Sequence, residues 1–258
     1  MRGGWRRGLI VGMCVLASCA GPVSAEPRVD HSAWDAILKR YVNGAGLVNY
    51  AAVKEDRAAL DGYLASVSTV DVTSLSRDAR LAFWINAYNA CVIKGVLDHY
   101  PVKSVKGIKG FFDAIRYPIA GASLTLNEIE ARGRALGDWR IHFALVCASS
   151  SCPFLRNEAY VPERIDEQLS DQARRFLADP SRGLRLDDAN GVLWVSNIFK
   201  WYAKDFLPSA PLSADGLLSV LSPYLDAATV PALRQRKLQL KFLDYDWSLN
   251  DQTAEGVP

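Results

Sequence analysis

The 258-residue chain is half apolar and carries a formal charge of +2, which becomes −1 if residues 1–25 are removed, because that segment holds three arginines and no acidic residue. The remaining length suffices for one domain with a sizeable core. A near-neutral chain has no electrostatic basis for binding nucleic acid or an anionic membrane, and no later stretch approaches the roughly 18 apolar residues of a spanning helix.

Residues 1–25 read as a signal peptide. Arg2, Arg6 and Arg7 precede an apolar run from Leu9 to Ala20, and Val23-Ser24-Ala25 offers small residues for cleavage before Glu26. Leu16-Ala17-Ser18-Cys19 also resembles a lipobox, so a lipid anchor at Cys19 is the alternative and the single expected route to a membrane. The expected location is periplasmic or secreted in the first case and envelope-anchored in the second.

Asp30 caps a first helix with Trp34, Ile37, Leu38 and Tyr41 on one stripe. Asn43-Gly44 ends it, Leu47 to Tyr50 reads as a short strand, and a second helix carries Leu60, Tyr63, Leu64 and Val67. Ala79 to Asp98 is apolar on nearly every face, which predicts a buried helix. Asn86 and Asn89 share one face of it, and a buried amide requires a specific partner. That partner is loop backbone in one reading, and a catalytic imidazole or a substrate in the other. Tyr100-Pro101 closes the helix, Lys103, Lys106 and Lys109 form a solvated basic loop, and His31 and His99 read as surface or helix-end residues. Ile115, Tyr117 and Ile119 alternate as a strand that turns at Gly121-Ala122. Thr125-Leu126-Asn127-Glu128 matches a capping box opening a helix that bears Ile129, Glu130 and Leu136.

Arg140 to Val146 has apolar residues on both alternating faces and reads as a strand covered on both sides. It stops at Cys147-Ala148-Ser149-Ser150-Ser151-Cys152-Pro153, where serine hydroxyls compete for backbone and Pro153 suits a first helical position. The expectation is a strand–loop–helix corner facing a cleft. Val161-Pro162-Glu163 then opens a helix with Ile165, Leu169, Ala173, Phe176 and Leu177 inward. Leu184–Leu186 and Val192–Val195 form a hairpin, and Ser196 caps a short helix bearing Phe199, Trp201, Tyr202 and Phe206. Leu217 to Leu221 is another helix, and Leu238 to Phe242 a last strand before Asp244-Tyr245-Asp246-Trp247. With no repeat and no linker, residues 26–258 read as a single α+β domain, its helices packed around a small, mostly antiparallel sheet.

Removal of residues 1–25 leaves Cys91, Cys147 and Cys152. A thiol attacks as thiolate, which a helix N-terminus and a neighbouring imidazolium both favour. Cys152 before Pro153, with His142 ten residues upstream, has the ingredients of a cysteine hydrolase or amidase. Asn86, Asn89 or Glu130 can orient the ring, and backbone N–H groups of the serine loop can form an oxyanion hole. Catalytic candidates are therefore Cys152, His142, Asn86 and Glu130; binding candidates are Asn89, Arg140, Ser150 and Ser151, for an unidentified small-molecule or peptide ligand. No cofactor is expected. A Cys147–Cys152 disulfide locking the corner of a non-catalytic envelope binding protein is the rival, with Cys91 an inert core thiol. Metal ligation by His142, Cys147 and Cys152, and a redox dithiol, both lack the usual Cys-x-x-Cys spacing.

The motifs also occur in the order of one known family. Phe83-Trp84-Ile85-Asn86-Ala87-Tyr88-Asn89, His99-Tyr100-Pro101 and Leu126-Asn127-Glu128-Ile129-Glu130 come first. Arg140-Ile141-His142-Phe143-Ala144-Leu145-Val146-Cys147, Ser151-Cys152-Pro153, Phe199-Lys200-Trp201-Tyr202 with Asp205-Phe206, and Tyr245-Asp246-Trp247-Ser248-Leu249-Asn250 follow. Together they resemble the domain-of-unknown-function family 547, found in exported bacterial proteins and some plant proteins. Val146 departs from it, standing where Asn is expected. The resemblance implies that Asn86, Asn89, Glu130, Arg140, His142, Cys147 and Cys152 occupy signature positions; it carries no activity.

Overall fold

The computed structural model describes residue 1 and residues 28–226, 229–234 and 237–252; apart from Met1, the segment expected to be a signal peptide, with Cys19, lies outside them. Three helices, α1 (Ser32–Tyr41), α2 (Tyr50–Glu55) and α3 (Arg57–Val67), pack around or beside α4 (Arg77–Leu97). Ser76 starts α4 by accepting the Ala79 N–H, and every residue from Leu81 to Ile93 is buried, as expected for a helix without a polar face. A hairpin follows: β1 (Arg116–Ile119) pairs antiparallel with β2 (Ala122–Thr125). Its two turn residues, Ala120 and Gly121, both have positive φ, the geometry that matches strand twist in a two-residue turn. The capping box forms at Thr125 and Glu128, opening α5 (Leu126–Arg134).

The second half builds its own core. Helix α6 (Ile165–Leu177) precedes β3 (Leu184–Asp187) and β4 (Val192–Val195), an antiparallel pair. Short helices α7 (Ile198–Trp201), α8 (Ala203–Phe206), α9 (Ala214–Leu221) and α10 (Thr229–Arg234) follow, and β5 (Gln239–Phe242) returns parallel to β4. The α+β class is borne out, with helices dominating and two small sheets. One buried cluster surrounds α4 and another joins Phe176, Leu193, Phe199, Phe206 and Leu217. Ile141 belongs to the first and Phe143 to the second, so the segment between them stitches the clusters together.

That segment corrects the sequence expectation. Residues Trp139–Phe143 form a 3-10 turn, not a strand. Asp138 accepts the Arg140 backbone N–H at 3.1 Å and pairs with its guanidinium at 2.7 Å, and this local cap prevails over the alternating pattern. Ile141, Ala144, Leu145 and Val146 enter the first cluster and Phe143 the second, so the apolar residues serve two cores rather than two faces of a sheet. Leu47 to Tyr50 is likewise no strand: Val48 makes single bridges to Val42 and Asp251, and Asn49 caps α2 by accepting the Ala52 N–H. No helix starts at Pro153; regular structure resumes at the 3-10 turn Pro162–Arg164. His31 does precede α1, but it is buried, its Nδ1 2.8 Å from the Tyr63 hydroxyl.

Candidate functional site

A cavity of about 290 Å³ opens on the seam between the two clusters. Tyr88 of α4, Asn127 and Glu130 of α5, His142 of the 3-10 turn, Leu145 just after that turn, and Trp201 and Tyr202 at the end of α7 line it. Cys147, Cys152, Tyr245 and Trp247 complete it. Among the described residues, no helix is long and apolar enough to cross a membrane and no group of three or more His, Cys, Asp or Glu is placed to hold a metal ion.

The thiol wall is made by a reversal of the chain. Ala148, buried, sits at φ 62°, a left-handed conformation that costs an ordinary residue about 1–2 kcal/mol. The loop after it is held by residues near the C-terminus: Ser150 N donates to Ser248 O at 2.8 Å, Ser151 N to Asp246 O at 3.1 Å, and Asn250 N to Ala148 O at 3.1 Å. Cys152 N donates to Ser149 O, which turns Cys152 back beneath Cys147. The Cys147 N–H then lies 2.9 Å from Cys152 Sγ. Cys147 Sγ faces the Ser149 hydroxyl at 3.0 Å and the Tyr245 hydroxyl at 3.3 Å.

These contacts divide the two thiols. A hydrogen bond from the Cys152 thiol, aided by Ser149 and Tyr245, lowers the Cys147 pKa to about 7 against the cost of burial. Burial, with Cys147 beside it, pushes Cys152 well up, and burial also raises Cys91. Cys147 is partly buried whereas Cys152 and Cys91 are fully so, and all three are free thiols. Cys147, not Cys152, is therefore the more acidic of the two cavity thiols. Cys152 also lacks the helix N-terminus that the sequence suggested.

The cavity lining also holds titratable groups. Arg134 grips Asp205 with two hydrogen bonds, 2.7 and 3.0 Å, and holds its carboxyl below the usual range, with His142 helping. His142 Nε2 lies 2.8 Å from Asp205 Oδ2. Burial lowers the His142 pKa to about 4, so the ring is neutral at pH 7. An ionised carboxylate only accepts; the neutral ring must then carry its proton on Nε2, leaving Nδ1 with the lone pair. Tyr202 stacks on that ring at 4.0 Å; Glu130, 3.7 Å from Arg134 Nη1, has its pKa raised by burial. At the rim, Trp201, Tyr245 and Trp247 lie with ring centroids 4.7–5.9 Å apart, and Trp201 is 47% exposed.

The remaining candidates lie outside the cavity lining and bond other protein groups. Asn86 donates to Tyr160 O and accepts from Tyr160 N, at 2.8 and 3.0 Å. Asn89 does the same for Ala144 O and Val146 N, both at 2.9 Å. Both amides thus fix loop backbone. Arg140 bonds Asp138, Asp166 and Ser170, tying the 3-10 turn to α6. Ser150 and Ser151 donate their N–H groups to Ser248 O and Asp246 O, the Ser150 and Ser248 hydroxyls are paired, and Ser151 Oγ accepts the Asp246 N–H, so the serine loop offers no oxyanion hole from those N–H groups. The sequence reasoning missed Asp205, Arg134 and Tyr245 as site residues, although Asp205 and Tyr245 stood inside motifs already picked out.

Two buried histidines fix an acid response. Burial lowers His31 and His142 to about 4 each, against about 6.5 in the unfolded chain. Between those values the unfolded state binds more protons, so stability falls as pH drops through the window. Each histidine contributes a loss of about 2 kcal/mol by pH 5. Denaturant titrations at pH 7 and pH 5 check this: His31→Gln narrows the difference between the two midpoints, and an unchanged difference contradicts it.

Residues 72–177 match the model of a family described as "Protein of unknown function, DUF547", which bears out the resemblance carried by the motifs. The matched segment contains α4, Glu130, His142 and both cavity cysteines; Trp201, Tyr202, Asp205, Tyr245 and Trp247 come from beyond it. No curated protein and no solved structure matches the chain.

Proposed function

We propose that this protein is an exported cysteine-dependent hydrolase that uses Cys147 as nucleophile on a small ester or amide. The observation that carries the reading is one cavity lined by both an ionisable thiol and a carboxylate-oriented imidazole. Cys147 as thiolate attacks the substrate carbonyl, and the Tyr245 and Ser149 hydroxyls around the sulfur are the donors for the resulting oxyanion. Glu130, protonated more readily because it is buried, supplies the proton to the leaving group. Water then attacks the thioester, His142 Nδ1 takes its proton, and the acid and the free thiolate are released. The aromatic rim of Trp201, Tyr245 and Trp247 receives the non-reacting part of the substrate.

The test uses p-nitrophenyl acetate, an activated ester small enough for the cavity. Reduced protein is expected to release nitrophenolate and to carry one acetyl group on Cys147 in quenched samples. His142→Ala accumulates that adduct, because deacylation loses its base; turnover falls roughly 10²-fold or more. Acetylation that survives in Cys147→Ala overturns the assignment. Absence of any adduct favours the non-catalytic binding reading. Export predicts a mature chain starting at Glu26, or at a lipidated Cys19; intact Met1 in envelope-purified protein contradicts both.

A further inference from the structure

Cys152 forms and breaks no bond in the hydrolytic reading, yet it lies against the reactive sulfur. The Cys147 N–H is 2.9 Å from Cys152 Sγ, and both cysteines border the cavity. Their exposure is unequal: Cys147 is partly open and Cys152 is 3% exposed. The turn closed by Cys152 N and Ser149 O, with Ser151 Oγ accepting the Asp246 N–H at 2.8 Å, holds Cys152 in that place.

We propose that Cys147 and Cys152 form an attacking and resolving thiol pair that exchanges with small disulfides entering the cavity. In the first step the Cys147 thiolate attacks one sulfur of the disulfide. A bond forms between Cys147 Sγ and that sulfur, the original S–S bond breaks, and one thiolate leaves with the electron pair. In the second step Cys152 loses its proton to solvent and attacks Cys147 Sγ, expelling the second thiolate. The small disulfide has gained two electrons and become two thiols; the protein has lost two and holds a Cys147–Cys152 bond. Only the outer thiol is accessible to the incoming disulfide, which fixes the order of attack. The lower pKa of Cys147 agrees with its role as the attacking member. This inference rests on the same reactive Cys147 as the hydrolytic reading and adds a consequence for it: the bridged form has no free nucleophile and forms no acyl-enzyme.

The experiment uses the reduced, folded full chain and dipyridyl disulfide, a neutral chromogenic probe. Wild type is expected to release two equivalents of thiopyridone, retain no pyridyl adduct, and yield a Cys147–Cys152 cross-linked peptide on digestion without reductant. Cys152→Ala releases one equivalent and keeps the adduct on Cys147, and Cys91→Ala behaves as wild type. If wild type stops at one equivalent with a stable adduct on Cys147, the exchange proposal is overturned while the hydrolytic reading stands. If the folded wild type releases none, both fall. Peptide mapping of wild type decides the matter even if Cys152→Ala does not fold.

Discussion

At pH 6 Cys147 is expected to be alkylated by iodoacetamide roughly sixfold faster than a free cysteine, and Cys147→Ala is expected to lower labelling of the folded protein by more than about 100-fold at pH 7. The first figure joins two opposing effects. A thiol with pKa about 7 has about 30 times more thiolate at pH 6 than one at 8.5. Its sulfur is also a weaker nucleophile, by about fivefold for that shift. The second figure follows from the other sulfurs. Cys91 and Cys152 are buried and their thiols are pushed up, so neither offers appreciable thiolate at pH 7. Labelling rates from pH 5 to 9, with the site read by peptide mass, measure both. Modification of Cys152, or a midpoint near 8.5, contradicts the assignment.

The same experiment separates two ideas of activation. The sequence placed an imidazolium beside Cys152, which makes the thiol's reactivity depend on His142. In the structure, sulfur and hydroxyl partners lower Cys147, while His142 is neutral and bonded to Asp205. His142→Ala is therefore expected to leave the alkylation profile of Cys147 nearly unchanged, and Cys152→Ala or Tyr245→Phe to move its midpoint upward.

The parts of this molecule that sequence disclosed are those with a local signature. Helix α4 is apolar over several turns, the capping box at Thr125 is a short-range pattern, and the hairpins have their turn residues between them. The segment 139–152 had a misleading signature. Alternation there arises because Ile141 and Phe143 enter two different clusters, which no window of neighbouring residues reveals. The site failed in part for the same reason. His142 meets Asp205 across 63 positions and Cys147 meets Tyr245 across 98. A thiol's protonation is decided by such distant partners, so the chain could say that Cys147 and Cys152 mattered but not which one ionises.

Asn89→Leu tests how far the site depends on the buried helix, and it is expected to destabilise the protein by about 2–5 kcal/mol. Leucine is close in volume, so little of the loss comes from packing. The loss comes from Ala144 O and Val146 N, to which Asn89 donates and from which it accepts at 2.9 Å. Both sit in buried residues, and each backbone group left unpaired costs about 1–3 kcal/mol. Asn86→Leu strips Tyr160 of two equivalent bonds and is expected to cost about as much. The two variants differ in what they do to chemistry. Tyr160 lines no part of the cavity, whereas Val146 directly precedes Cys147 and Leu145 borders it. In the folded fraction, Asn86→Leu should thus keep the wild-type alkylation midpoint of Cys147, and Asn89→Leu should raise it as the corner loosens. Denaturant midpoints measure the first effect and alkylation in native buffer the second. Equal midpoints for wild type and Asn89→Leu would mean that the amide does not hold the corner, and the cavity's geometry would have to be fixed by the contacts of Ser150 and Ser151 with the C-terminal residues alone.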